Sequence, residues 1–355
     1  MTYLRNCWYA AMWSEKLKTT ELVDLILLDE PLVFFRDAAG RAVAMDDMCP
    51  HRLAPLRMGK LLADGRIQCG YHGLEFDASG ECVKNPHGSG KIPKNCRVKT
   101  YALVDKHTLL WIWMGDHEPD ESLIPDFSYL DADSPYDVGR RDTITMETNY
   151  RYIVDNLMDL SHASFLHDGV LGNAETIWAE IQVTQTGQSV TVQRDMFNVA
   201  PPLVRDLLFK RDGAPVNMWQ KITWHPPGAV LNDVGTYAPD SERTAFSGQL
   251  GCHILTPSTA NTTLYHTAAA RQGPIAAVAT EGDDAFKLRI AELRRFAFEE
   301  QDDPMLKAQQ ENIRRHPKAK PVLLEVDAGP VRCQRILDGL IAAENRAAEP
   351  VGATL

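Results

Sequence analysis

The chain reads as an α+β protein of two domains: a small antiparallel β domain, then a larger one in which an all-β stretch is followed by helices. Three observations predict this. The first third is broken into short apolar or β-branched runs separated by turn signals. From about Asp142 to Ala270 apolar and polar residues alternate as in half-buried strands. The last quarter is rich in Ala, Leu, Glu, Lys and Arg at helical spacing.

The strands expected in the first domain are Leu25–Leu28, Leu32–Arg36, Ala42–Asp46, Arg66–Cys69, Glu75–Asp77 and Leu109–Met114, divided by turns such as Asp37–Gly40, Asp64–Gly65 and Ser79–Gly80. The acidic segment His117–Pro125, with two prolines, connects onward, which sets the expected domains at 1–120 and 121–355. In the second, alternation marks Glu180–Gln193, Met218–Trp224, Val230–Tyr237 and Thr262–Ala270. An amphipathic segment, Tyr152–His167, interrupts the β stretch. Asp283–Arg315 and Val331–Asn345 are the two expected helices, and the tail after Arg346 is expected to be loose.

A length of 355 residues suits two domains, and 44% hydrophobic content is ordinary for a globular chain. The net charge of −11 argues against non-specific nucleic-acid binding, which needs a basic face. The best apolar run, Leu22–Leu28, is short and broken by Asp24, and Met1–Trp13 lacks a basic segment followed by an apolar core. No membrane span is expected, and the expected location is the cytoplasm. The seven cysteines are then not a disulfide framework.

Two of those cysteines have ligand spacing. Cys49-Pro50-His51 is followed, after 17 residues, by Cys69-Gly70-Tyr71-His72, with cluster loops at about 47–75. Two thiolates on one iron and two neutral imidazoles on the other make a Rieske 2Fe–2S cluster of raised potential. The competing reading is a structural zinc ion, but zinc fingers usually group Cys with Cys and put the His pair on a helix. Here each half mixes one Cys and one His among turns. Cys7, Cys82, Cys96, Cys252 and Cys333 have no such spacing and are read as packing residues.

A second constellation runs from Asp155 to His167. Asp159 and His162, three apart, would share a helix face, whereas His162 and His167, five apart, would not. Both can reach one ion only if the helix ends or distorts between them. Two imidazoles and a carboxylate form the facial triad of non-haem Fe(II) oxygenases, and a single-electron cluster upstream calls for such an acceptor.

The stretches Cys49-Pro50-His51-Arg52, Cys69-Gly70-Tyr71-His72-Gly73 and Asp155-Asn156-Leu157-Met158-Asp159-Leu160-Ser161-His162 resemble the oxygenase component of Rieske non-haem iron oxygenases. The nearest group is that of vanillate O-demethylase and dicamba monooxygenase. The likeness runs from Arg5-Asn6-Cys7-Trp8-Tyr9 to Asp327-Ala328-Gly329. It implies a curved, helix-grip-like antiparallel sheet flanked by helices, and a carboxylate ligand within Glu299-Glu300-Gln301-Asp302-Asp303, ahead of Gln309-Gln310; spacing favours Asp302 over Asp303. It also implies a homotrimer in which His72 of one subunit approaches Asp159 of the next, with Asp159 hydrogen-bonding an imidazole on each side. Asn156 becomes a neighbour of the iron or a weak ligand. Asn232 and His253 match the pair that grips an aromatic acid's carboxylate in dicamba-type relatives; the alternative is two ordinary sheet residues. Leu293 stands near a pocket-lining Trp of those relatives, so the pocket shape should differ.

The expected function follows from the resemblance: O₂-dependent O-demethylation of a methoxylated aromatic acid, with electrons from NAD(P)H through a flavin reductase, with or without a ferredoxin. The methyl carbon is hydroxylated and the hemiacetal collapses to a phenol and formaldehyde. Methyl hydroxylation of an aryl carboxylate or sulfonate, N-demethylation, ring cis-dihydroxylation and a purely electron-transfer protein are the alternatives. The last leaves more than half of the chain without a role.

Overall fold

A computed structural model describes residues 3–209, 212–273 and 282–348. Two compact units are present. One holds residues 5–124 with 256–260, the other residues 125–255 and 261 onward with the first described residues.

The first unit is built from three small antiparallel sheets. β1 (Trp8–Trp13), β11 (Leu109–Trp113) and β10 (Leu103–Lys106) form one; β2 (Val23–Leu27), β3 (Glu30–Arg36), β4 (Ala42–Asp46) and β9 (Thr100–Tyr101) form the second. The third contains β5 (Lys60–Leu61), β6 (Ile67–Gln68), β7 (Glu75–Phe76) and β8 (Cys82–Lys84). β1 is not among the expected strands. All six of its residues are buried, so it lacks the alternation that marks a half-exposed strand. The six expected strands are present, with ends shifted by up to two residues.

The second unit is one eight-stranded antiparallel sheet in the order β12 (Asp137–Val138), β19 (Thr262–Gln272), β18 (Phe246–Thr259), β17 (Ala229–Tyr237), β16 (Val216–His225), β15 (Ser189–Val199), β14 (Gln182–Thr186). β13 (Asp142–Met146) also pairs with β19. Glu180–Gln193, expected as one run, is a hairpin: Gly187, at φ +58°, turns the chain back between β14 and β15. β18 went unrecognised although it is the longest strand, because Gly248, Gly251 and Pro257 punctuate it.

Among its described residues the second unit also has five helices: α1 (Tyr150–Met158), α2 (Leu203–Phe209), α3 (Asp283–Arg295), α4 (Asp303–Arg315) and α5 (Ala328–Ala348). α1 is capped by Asn149, whose side chain accepts from Arg151 N, and its buried face carries Ile153, Val154 and Leu157. α5 packs on α1 and on β15. That approach requires Gly329, where a Cβ would lie 2.4 Å from Val192 Cγ2. The expected helix over Asp283–Arg315 is α3 and α4 joined by a π-helical turn, Phe296–Asp302. Beyond Arg346 helix α5 runs on to Ala348, and the rest of the tail expected to be loose lies outside the described residues.

Candidate functional site

The two halves of the first ligand set are built alike. Cys49 N–H donates to Ala54 O and Cys49 O accepts from Leu53 N; Cys69 N–H donates to Leu74 O and Cys69 O accepts from Gly73 N. Each loop closes on a left-handed residue four positions after the cysteine, Leu53 (φ +56°) and Gly73 (φ +71°). Both cysteines are buried and pack with Leu56, Ile67 and Phe76. The His51 and His72 rings lie 4.5 Å apart on the outer side, and His87 Nε2 meets His72 O at 2.7 Å. Burial pushes the Cys49 thiol up to about 12, so a thiolate there needs positive charge beside it. Buried sulfur donors inside and imidazoles outside suit a cluster with one iron on each.

In the second set α1 stops at Met158 and Asp159 is its C-cap at φ −92°, ψ 99°, so the helix ends before the first histidine. His162 opens a 3₁₀ turn, His162–Ser164, and the chain bends to bring His167 beside it. The ring centroids are 5.1 Å apart. Asp302 arrives from the last residue of the π turn; its Oδ1 lies 3.2 Å from His167 Nε2 and 3.9 Å from His162 Nε2. One ligand atom from each of the three lies within 4.8 Å of the others. Asn156 Nδ2 donates to Asp302 Oδ1 at 3.0 Å, which places it beside the triad.

The other ring nitrogens are held. His167 Nδ1 meets Gln301 Oε1 at 2.8 Å, and His162 Nδ1 meets the main-chain oxygen of Asp159. Such bonds fix the tautomer that leaves Nε2 to a metal. His167 Nε2 is fully buried and has no hydrogen-bond partner, and a metal ion would satisfy it. Burial pulls His162 below its usual range despite the attraction of Asp302; His167 is buried too, but its contact with Asp302 wins and raises it. The donor set fits a mononuclear Fe(II). Asp303 falls in the first turn of α4, next to Pro304, and is absent from the cluster of ligand atoms.

One expectation changes. The Asp159 carboxylate does not bond His162: its Oδ1 accepts from Ser161 N and Oγ, and the histidine meets the main-chain carbonyl instead. The break in the helix turns the side chain toward the residue two ahead, the usual Asx geometry.

Asn232 and His253 do come together. Asn232 pairs with Gly251 across β17 and β18, and a Cβ on Gly251 would lie 3.0 Å from His253 Nε2 and 3.3 Å from Asn232 Cβ. The buried oxygen Asn232 Oδ1 has no hydrogen-bond partner. His253 Nδ1 lies 2.6 Å from Tyr265 Oη. Burial pulls His253 down to about 3 and Tyr265 well above its usual value, so both are neutral at pH 7. Tyr265 therefore donates to Nδ1, and His253 presents an Nε2–H toward Asn232. Phe298, from the turn that carries Asp302, meets His253 edge-to-face and Tyr265 at a tilt, with centroids at 5.7 and 5.2 Å. Leu293 packs with Leu207, Leu208 and Phe286 between α2 and α3.

Gln301, Tyr265 and Phe298 touch the candidate site residues, and the sequence did not single them out. Gln301 stands next to Asp302, and a ligand's neighbour is a candidate partner for another ligand; nothing local marks the other two.

Comparison with known proteins agrees with both centres. The Rieske [2Fe-2S] domain matches residues 7–102, and the vanillate O-demethylase oxygenase C-terminal domain matches residues 146–343. A toluene-4-sulfonate monooxygenase system iron-sulfur subunit from Comamonas testosteroni is 33% identical over 98% of this chain and 100% of its own. The vanillate O-demethylase oxygenase subunit of a Pseudomonas strain is 32% identical, covering 97% of each. The oxygenase component of dicamba O-demethylase from Stenotrophomonas maltophilia is 36% identical over 73% of this chain and 76% of its own. The crystal structure of dicamba monooxygenase bound to 3,6-dichlorosalicylic acid superposes with a TM-score of 0.89 at 30% identity, covering 98% of this chain and 100% of that one.

Proposed function

This chain belongs to the Rieske non-haem iron oxygenase components that carry the vanillate O-demethylase oxygenase C-terminal domain, and from that premise we propose that it O-demethylates a methoxylated aromatic acid. The observation that carries the reading is the shared wall of the triad and the Asn232–His253 pair. Phe298 and Asp302 come from one π turn, and Phe298 touches the histidine of the pair.

Bound at His162, His167 and Asp302, an iron supplies O₂ activation, while a 2Fe–2S cluster at Cys49, His51, Cys69 and His72 supplies single electrons. The chain's own residues do the placing. Gln301 and the Asp159 carbonyl orient the two imidazoles, and Asn156 holds the Asp302 carboxylate. Tyr265 fixes His253 as an Nε2–H donor, which with the Asn232 amide grips the substrate's acid group. With the acid held there and the ring against Phe298, the methyl group is turned toward the triad.

Electrons reach this component from NAD(P)H through a flavin reductase, directly or by way of a ferredoxin. In the proposed assembly three copies form a ring in which Asp159 faces His72 of the partner subunit. Supporting this, the Asp159 Oδ2 makes no hydrogen bond among the described residues. No described helix is long and apolar enough to cross a membrane.

A second reading is favoured by the full-length similarity to the toluene-4-sulfonate monooxygenase subunit: methyl hydroxylation of an aryl sulfonate. Turnover of methoxybenzoates, their chlorinated analogues and methyl aryl sulfonates, followed by formaldehyde release and O₂ uptake, separates the two. Formaldehyde from a methoxybenzoate is the expected result. O₂ uptake with a hydroxymethyl product and no formaldehyde would move the assignment to hydroxylation.

A further inference from the structure

Strand register places Arg194, Gln220 and Val234 on one line across β15, β16 and β17. The next line holds Val192, Ile222, Asn232 and Gly251, so Arg194 and the Asn232–His253 pair share a face of the sheet. Helix α2 covers that face. Its Phe209 packs on Met196 and Met218, which alternate onto the same side, and its Leu207 and Leu208 meet Phe286 of α3.

Between α2 and the sheet lie two buried arginines. Arg194 is 2% exposed, and its guanidinium donates only to neutral acceptors: Nε and Nη2 to Gln220 Oε1 at 3.3 and 3.1 Å, and Nη1 to Thr176 O at 3.3 Å. Arg205, on α2, is 8% exposed, and its guanidinium meets no acceptor among the described residues. Neither arginine has an ion pair there; the charges they feel are Asp159 for Arg194, and Arg194 and Asp233 for Arg205. Burial pulls each down to about 10, and Arg194 adds its repulsion at Arg205. Two cations close together in a low-dielectric interior are costly unless an anion joins them.

We propose that Arg205, backed by Arg194, is a charged anchor on the substrate side of the sheet, so that this enzyme selects an aromatic anion, a carboxylate or a sulfonate, by its charge. Asn232 and His253 are neutral donors and supply direction; the arginine supplies the counter-charge. A guanidinium whose donors are free presents them as a fork to the two or three oxygens of such a group. This rests on the aromatic-acid reading above, but it concerns binding and not the fate of the methyl group.

The test is equilibrium binding to the holoenzyme of 2-methoxybenzoate, toluene-4-sulfonate and the neutral isostere 2-methoxybenzamide. The unaltered enzyme should bind at least one of the anions about 10-fold or more tightly than the amide, and the preferred one tells carboxylate from sulfonate. Arg205→Gln should weaken that anion by about 10- to 100-fold and leave the amide unchanged, with Arg205→Lys recovering part of the loss. Equal affinity for anions and amide, no binding of either anion, or equal weakening of all three ligands in Arg205→Gln would each overturn the proposal. Should Arg205→Gln not fold, the anion-to-amide ratio of the unaltered enzyme decides. Anion binding with the expected charge dependence but no formaldehyde would refute demethylation and leave the anchor standing.

Discussion

At His162 and His167 the decisive feature is the partner of the nitrogen that faces away from the triad. A main-chain carbonyl holds one ring and Gln301 the other. Gln301→Ala should lower iron affinity or turnover by about 10- to 100-fold, measured as iron content and O₂ uptake. His162→Ala should abolish turnover while the EPR signal of the reduced cluster persists; loss of that signal would show that the two centres are not independent. Gly251 is a test of the substrate grip, because a methyl there crowds both His253 and Asn232. Gly251→Ala should raise KM for the aromatic acid by about 10-fold, with Tm little changed. The residue chemistry of both centres was readable because ligand spacing is local. Tyr265 and Phe298 were not, since each acts through a contact with a residue on another element.

Among the elements, α1 and the π turn do the most. The sequence required a break between the two histidines, and the helix in fact ends before either. The π turn inserts a residue into an otherwise continuous helix and aims Asp302 inward. Deleting the exposed Glu300 should restore α-helical phase and swing Asp302 by about 100°. The variant should lose its mononuclear iron and keep its cluster; retention of that iron would show that the turn is incidental. On the other side of α1, Asp155 is half-buried and accepts from Gln334 Nε2 of α5 at 2.8 Å. Burial raises it from 3.8 to about 6, beyond what Gln334 and Arg151 pull back. The folded chain thus keeps a proton that the unfolded chain releases. This contribution to stability is full below the unfolded value and is lost as pH rises through the folded one, by an amount on the order of 3 kcal/mol at most. Asp155→Asn should therefore raise the urea midpoint more at about pH 7.5 than at about pH 5; an equal gain at both would show that Asp155 is ionised in the fold.

For the whole molecule, the consequence of the proposed trimer is that no chain completes a turnover alone. Light scattering should give three times the mass of one chain. His72→Ala and His162→Ala subunits, each inactive by itself, should regain activity when co-assembled. Failure of mixed assemblies to turn over would confine the electron path to one chain. Asp159→Asn should retain both iron centres yet slow single-turnover electron transfer strongly.

The amino-acid sequence by itself determined the order of the two β-rich parts and offered four candidate cluster ligands and two candidate histidines. These depend on spacing along a few residues, where turn and helix geometry leave little choice. It also pointed to Asp302 over Asp303, and the π turn supplied the reason. Only the tertiary structure decided what depends on strands and helices meeting: the hairpin at Gly187, the long β18, and the Tyr265–His253–Phe298 wall. The same holds for Arg205 on α2 and Arg194 on the sheet it covers. Arg194 and Arg205 are ordinary letters in the sequence, and their meaning comes from burial without an ion pair among the described residues, which only the packing of α2 on the sheet creates.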